Sequence, residues 1–265
     1  MPPDPYAWSA DPEGIVVVSV ALAAYAAALR AYAAPRWRIA SFSAGLALVL
    51  ATHVTPIAAL SNHYLLSAHL FQNVALAEWA PALVVLGLPS LLAARLAALP
   101  GIRVLTHPLV ALPLWLATYF AWHLPWAYDT ALEHPHSLLH LEHACYFTTG
   151  CLFWWPVAHD APRRLAAGAR AVYVFAAFVL AAPLGLLLSL LPDAIYGFYE
   201  EAPRRIFGLS PLADQQIAGV TMAAEQAVVF FAVCALWFSR FLHEEETVDA
   251  FRPSAARRAT TSGSR

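Results

Sequence analysis

The sequence predicts an all-α, polytopic membrane protein: a bundle of seven transmembrane helices with the N-terminus outside and the C-terminus cytoplasmic. Three observations predict it. Of 265 residues, 60% are hydrophobic and only 12% charged, too little charge to cover a soluble core of that apolar content. The mean hydropathy is +0.59, and apolar blocks recur near the ~20 residues that cross a ~30 Å hydrocarbon core as a helix. All fifteen basic residues are arginine, and they fall on alternate connections, as membrane topology requires.

In chain order the spans read as residues 15–33, 39–60, 64–89, 108–127, 138–158, 171–192 and 214–242. The opening MPPDPYAWSADPEG lacks the basic region of a cleavable signal peptide, so the first span is expected to remain as an anchor. Pro35, Leu99-Pro100-Gly101 and Asp160-Ala161-Pro162 mark turns where a helix does not continue. With the N-terminus outside, thirteen arginines are cytoplasmic and two, Arg204 and Arg205, are external. An even number of spans breaks that alternation. The longest outer connection, 193–213, is expected to carry Glu200, Glu201, Arg204 and Arg205 as a solvated charge cluster. Residues 1–242 form one domain, and residues 243–265 read as a polar cytoplasmic tail expected to be disordered. Cys145, Cys151 and Cys234 lie in apolar segments and read as buried thiols, not a disulfide framework.

Chemistry concentrates in FAWHLPWAYDTALEHPHSLLHLEHACYFTTGCLFWWP, residues 120–156, which holds five of the eleven histidines. Placed by depth, His53, His63, His69, His123, His134, His136, His140 and His143 fall toward the outer side. Only His107, His159 and His243 lie near the inner face, where they read as interfacial caps. His136, His140 and His143 recur at i, i+4 and i+7, sharing one face if the span-5 helix begins that early. His69, Gln72 and Asn73 form a similar face of span 3. Span 7 opens with Asp214, Gln215 and Gln216, with Met222 two turns on. Imidazoles beside a thioether suit Cu(I), while the plainer reading is hydrogen bonding between helices. Glu142 and Glu225, carboxylates within spans, are the costliest groups. Glu142, adjacent to His143, is expected off its ligand face, orienting an imidazole or joining helices. Gly150 continues the His143 face and is expected to allow close helix approach.

Several functions lose support at this point. Phosphate-cradling loops, a nucleophile elbow, HExxH and CxxC are all missing from the sequence. The arginines read as membrane anchors, so nucleic acid is not an expected partner.

The string WHLPWAYDTALEHPHSLLHLEHACYFTTGCLFWWP, together with SAHLFQNVALAEWAPALVVLGLP in span 3 and DQQIAGVTM in span 7, resembles the cytochrome c oxidase assembly factors of the CtaG type. The likeness runs over most of residues 60–245. It implies a multi-pass protein of the bacterial cell membrane that acts as a non-enzymatic chaperone in maturing caa-type haem-copper oxidases. The partners so implied are the oxidase subunits, the lipid bilayer and other copper chaperones. Carried over by position, it points to His69, His123, Pro125, His140, Glu142, His143, Asp214, Gln215, Gly219 and Met222. Family members commonly read H-M-x-Q-H in span 3, where this chain has His69-Leu70-Phe71-Gln72-Asn73, and tryptophan after the span-7 methionine, where it has Ala223. Asn73 is a poor copper ligand, so the expectation is fewer span-3 ligands, His53 or His63 in its place, or loss of tight metal binding with the assembly role kept.

The expected site is transient copper held by His69, His123, His140 and His143 with Met222, supported by Gln72, Asn73, Glu142, Asp214 and Gln215. Two other functions compete with it. One is a haem-binding electron carrier with paired axial histidines. The other is a metal or proton transporter with Glu142 and Glu225 as a relay.

Overall fold

The computed structural model describes residues 3–202 and 204–262, with side chains described through Glu246 except that of Glu13. Its helices are α1 (Pro12–Leu29), α2 (Arg36–Val54), α3 (Pro56–His63), α4 (Leu66–Val74), α5 (Ala80–Gly87), α6 (Ser90–Ala97) and α7 (Pro100–Leu105). There follow α8 (Pro108–Trp122), α9 (Pro125–Glu133), α10 (His140–Ala158), α11 (Ala167–Leu190), α12 (Gly197–Glu200) and α13 (Pro211–Ser262). A π-helical turn, Ala75–Trp79, joins α4 to α5, and a second, Pro135–Leu139, leads into α10.

Prolines set most of these starts. Pro56, Pro100, Pro108 and Pro125 each open a helix, where the missing N–H is no loss and the fixed φ is helical. Pro56 corrects the sequence boundary: span 2 ends at Val54, and 56–63 forms the separate α3. The polar segment expected to be disordered continues α13 as far as Ser262. Good helix formers such as Glu244–Glu246 and Ala255-Ala256 favour that continuation locally. The disordered-tail expectation for 263–265 lies outside the described residues.

Four helices are long and apolar enough to cross a membrane: Arg36–Val54, Leu66–Gly87, Ala167–Leu190 and Pro211–Glu246. Gly14–Leu29 and Pro108–Trp122 are shorter apolar helices. Leu109, Val172, Leu187, Leu190 and Val228 are exposed, an apolar outer surface suited to lipid. Cys145, Cys151 and Cys234 are free thiols.

The continuous helix Leu66–Gly87 is the axis of the bundle. Its α5 half packs on α2 and α10, its α4 half on α13 and α3, while α11 lies along α13 and α8 against α10. Trp115, Phe153 and Phe230, all wholly buried, fill the space between α8, α10 and α13. Trp115 and Phe153 stack with centroids 4.8 Å apart.

Pro81 explains the break in this axial helix. It cannot donate to the Ala77 carbonyl one turn back, so the helix loosens there into the π turn. The Gly150 backbone of α10 closes on the same carbonyl: a Cβ at Gly150 would lie 2.3 Å from Ala77 O and 2.7 Å from Pro81 Cγ. This is the close approach that the Gly150 spacing predicts. Gly185 and Gly219 make a second such crossing between α11 and α13.

Gly150→Ala should therefore separate α10 from the axial helix at a cost of about 1–3 kcal/mol. Thermal unfolding in detergent should show a clear fall in Tm, and an unchanged Tm contradicts the packing described.

Candidate functional site

The site is built from Asn73 and Glu142, because a wholly buried carboxylate must find donors. Asn73 Nδ2 donates to Glu142 Oε1 at 2.9 Å. His69, one turn earlier on α4, brings its Nε2 to 3.8 Å from the same oxygen. Glu142 thus faces the bundle interior, between α10 and α4, in reach of the His69 imidazole. His140 is the residue at the rim: half-buried at the first position of α10, with its ring 6.3 Å from that of His136. The π turn Pro135–Leu139 interrupts the regular α-helical register assumed for His136 and His140.

The hydrogen-bond network assigns the imidazole tautomers. Tyr199 Oη donates to the Ser61 carbonyl at 2.5 Å, so it accepts from His69 Nδ1 at 2.8 Å. His69 Nε2 then carries the lone pair, and it is buried with no hydrogen-bond partner. His123, at the end of α8, donates from Nδ1 to the Tyr119 carbonyl at 2.7 Å, and its Nε2 is likewise buried and unpartnered. His53 Nδ1 donates to the Val49 carbonyl at 2.8 Å. Neither ring nitrogen of His143 has a hydrogen-bond partner.

The rings are neighbours. His143 is 5.4 Å from His53 and 6.1 Å from His69, centroid to centroid. Two imidazoles sharing an ion through bonds of about 2.0–2.1 Å have centroids about 5–6 Å apart. His53, one of the substitutes considered for the missing second histidine of α4, is therefore beside the site. His63 is not: it lines an outer pocket with Asp129, Glu133 and Glu201. There burial holds its pKa below the ordinary imidazole value and that of Asp129 above the ordinary carboxylate value, despite donors at Gly197 and Phe198. Among the described residues, no three or more His, Cys, Asp or Glu side chains already form a group able to hold a metal ion.

Met222 is 2% exposed and shares with Asn73, Glu78, His123 and Tyr146 a cavity of about 10 Å³. That volume is near the least that accommodates one water. The remaining expected residues have structural positions. Gln72 Nε2 donates to Thr52 O at 3.0 Å, tying α4 to α2. Asp214 accepts from Leu66 N at 2.6 Å and from the Ser67 hydroxyl at 2.5 Å, capping α4 from α13. Gln215 holds the 193–195 connection through Ile195 N and Asp193 O. Pro125 begins α9. His107 caps α8, and His159 Nε2 reaches the Val85 carbonyl near the end of α5 at 2.8 Å.

Sequence reasoning missed two groups. The first is an aromatic wall: Tyr119, Tyr128, Tyr146, Tyr196 and Tyr199 are all buried around the histidines. Tyr196 and Tyr199 come from the 193–213 connection, which folds over the site and is more than the solvated charge cluster expected of it. Arg205 donates back to the Tyr199 carbonyl at 2.7 Å. No spacing signals this, since it depends on the return of a long loop. The second is Glu78, wholly buried in the π turn and bonded by Gln226 Nε2 at 2.9 Å. Its signal was present, a carboxylate inside the apolar run VALAEWAP.

The fold and site define a class: an all-helical protein, with several helices apolar enough for a membrane, enclosing a polar centre of imidazoles and one carboxylate. More particularly, the chain belongs to the cytochrome c oxidase caa3 assembly factor family, Caa3_CtaG, whose family model matches residues 21–244. Comparison with curated proteins and with solved structures finds no match.

Asn73→Ala should leave Glu142 Oε1 without its amide donor in an apolar interior, at a cost of about 1–3 kcal/mol. Tm should drop, with Asn73→Gln less harmful than Asn73→Ala. Equal stability of Asn73→Ala and wild type contradicts the role given to this amide.

Proposed function

We propose that the protein is a seven-span factor of the bacterial cell membrane that holds copper transiently, as Cu(I), for a haem-copper oxidase under assembly. The observation that supports this reading best is the state of the imidazoles. His69 and His123 each have Nδ1 engaged as a donor and Nε2 buried with a lone pair and no partner. His143 lies between His53 and His69 with both nitrogens unpartnered. Buried nitrogens with no hydrogen-bond partner are costly unless something takes them up, and several neutral imidazoles together suit a soft or borderline metal.

His69, His123 and His143 would hold the ion, with His53 as a further nitrogen and Met222 as a thioether beside His123. His140 is a residue of the entrance. Asn73 orients Glu142, and Tyr199 fixes the His69 tautomer, the service that outer hydrogen bonds give metal ligands elsewhere. The copper would contribute soft-ligand affinity and exchangeable coordination, suited to transfer. The ligands must still draw together, consistent with a carrier that loads and releases. Binding and handover, not catalysis, are what such a site offers. The arginine distribution supports placing the histidine end outward, where oxidase subunits and other copper chaperones would meet it.

Purified protein under reducing conditions should bind about one Cu(I) per chain. A His69→Ala/His143→Ala double variant should lose that binding, and Tyr199→Phe should weaken it about 10–100-fold. Unchanged affinity in the double variant sinks the site. Deleting the gene should lower assembled oxidase, and normal oxidase spectra in the deletion strain would count against the assembly role.

A further inference from the structure

We propose that Glu78, Glu225 and Gln226 form a second cation site, for a hard divalent metal ion, entered from the end of the bundle opposite the histidines. The proposal stands on oxygen atoms that have no donors. Gln226 Nε2 donates to Glu78 Oε1 at 2.9 Å and to Tyr119 Oη at 3.1 Å, which fixes the amide with its oxygen turned away from both. Trp79 Nε1 donates to Glu225 Oε1. This leaves Glu78 Oε2, Glu225 Oε2 and Gln226 Oε1, all three buried, with no amide, indole or hydroxyl donor among the described residues; the two carboxyl groups have only each other. Glu78 and Gln226 are themselves wholly buried. The two carboxyl groups hydrogen-bond to each other, which sets them side by side.

Charge makes the arrangement costly as it stands. Glu78 interacts with Glu225, Gln226 and Tyr119, none of them basic. Two carboxyl groups side by side in an apolar bundle need either a shared proton or a positive partner, and the unpartnered Gln226 Oε1 beside them favours the latter. Three oxygen donors, two of them anionic, select a hard ion over the soft one suited to the imidazoles. A divalent ion cancels both charges. Mg²⁺ and Mn²⁺ in particular bind through one or two carboxylates while keeping several waters.

The structure also supplies a route for such an ion. α13 packs against α4 but leaves a gap beside α5, and a cavity of about 870 Å³ opens there between α5, α10 and α13. Glu78 and Trp79 line it at one end, and Arg38, Asp160, Arg170 and Arg240 at the other, with Arg240 stacked on the Trp237 ring. Arg170 is neutralised by Asp160, while Arg38 is held by the Leu86 and Leu88 carbonyls and keeps its charge at the cavity's far end. The π turn aims Glu78 and Trp79 at α13, the kind of functional use that π turns often serve.

The probe is Mn²⁺, titrated into the purified full-length protein in detergent and followed by the loss of the free-ion EPR signal. Wild type should take up Mn²⁺, and Mg²⁺ should displace it. Glu78→Gln and Glu225→Gln should each weaken uptake about tenfold or more, and Glu225→Gln, outside the cavity that His123 and Met222 share, should leave Cu(I) binding unchanged, which separates this site from the histidine site. A second measurement needs no variant: Mn²⁺ should protect Glu78 of wild type from labelling by dicyclohexylcarbodiimide. Mn²⁺ uptake that survives both substitutions overturns the proposal. So does carbodiimide labelling indifferent to Mn²⁺, the result expected of a pair that shares only a proton.

Discussion

The fold depends on accommodating a carboxylate where there is no water to solvate it. Glu142 is wholly buried, and its position is set by one amide, Asn73 Nδ2, with the His69 imidazole on the same oxygen's other side. Bringing those groups together fixes much else. α10 must lie hard against the axial helix, which the absence of a side chain at Gly150 permits. α4 must be capped and held, which Asp214 does from α13 and Gln72 does from α2. The loop after α11 must return so that Tyr199 can engage His69 and Ser61.

Much of this was legible in the sequence, for a definite reason. Apolar block length responds to the bilayer, a uniform solvent, so the all-helical class and the main apolar helices could be read, while boundaries such as the break at Thr55-Pro56 could not. The histidine end was legible as well, because imidazoles at one depth on several helices stand out against an apolar background. The finer geometry was not. Adjacency in sequence suggested that Glu142 and His143 face apart. Both prove buried, while His140, at the first position of α10, is half-buried. Asn73 read as a lost ligand, yet in the structure it is the donor that the carboxylate requires. Tyr199 could not be read at all, since its partner lies 130 residues away.

The axial helix joins two chemically different regions. Before the π turn it presents His69 to the His143 ring and Asn73 to Glu142. Within the turn it presents Glu78 to an amide and a second carboxylate. Met222 and His123 border the narrow cavity between them.

The central claim is that His69, His123 and His143 present nitrogen lone pairs to a copper ion. X-ray absorption at the copper edge of the Cu(I)-loaded protein tests it most directly. Imidazole scattering from two or three rings is predicted, reduced in a His69→Ala/His143→Ala double variant. A copper environment without imidazole scattering, or one that the double variant leaves unchanged, would contradict it.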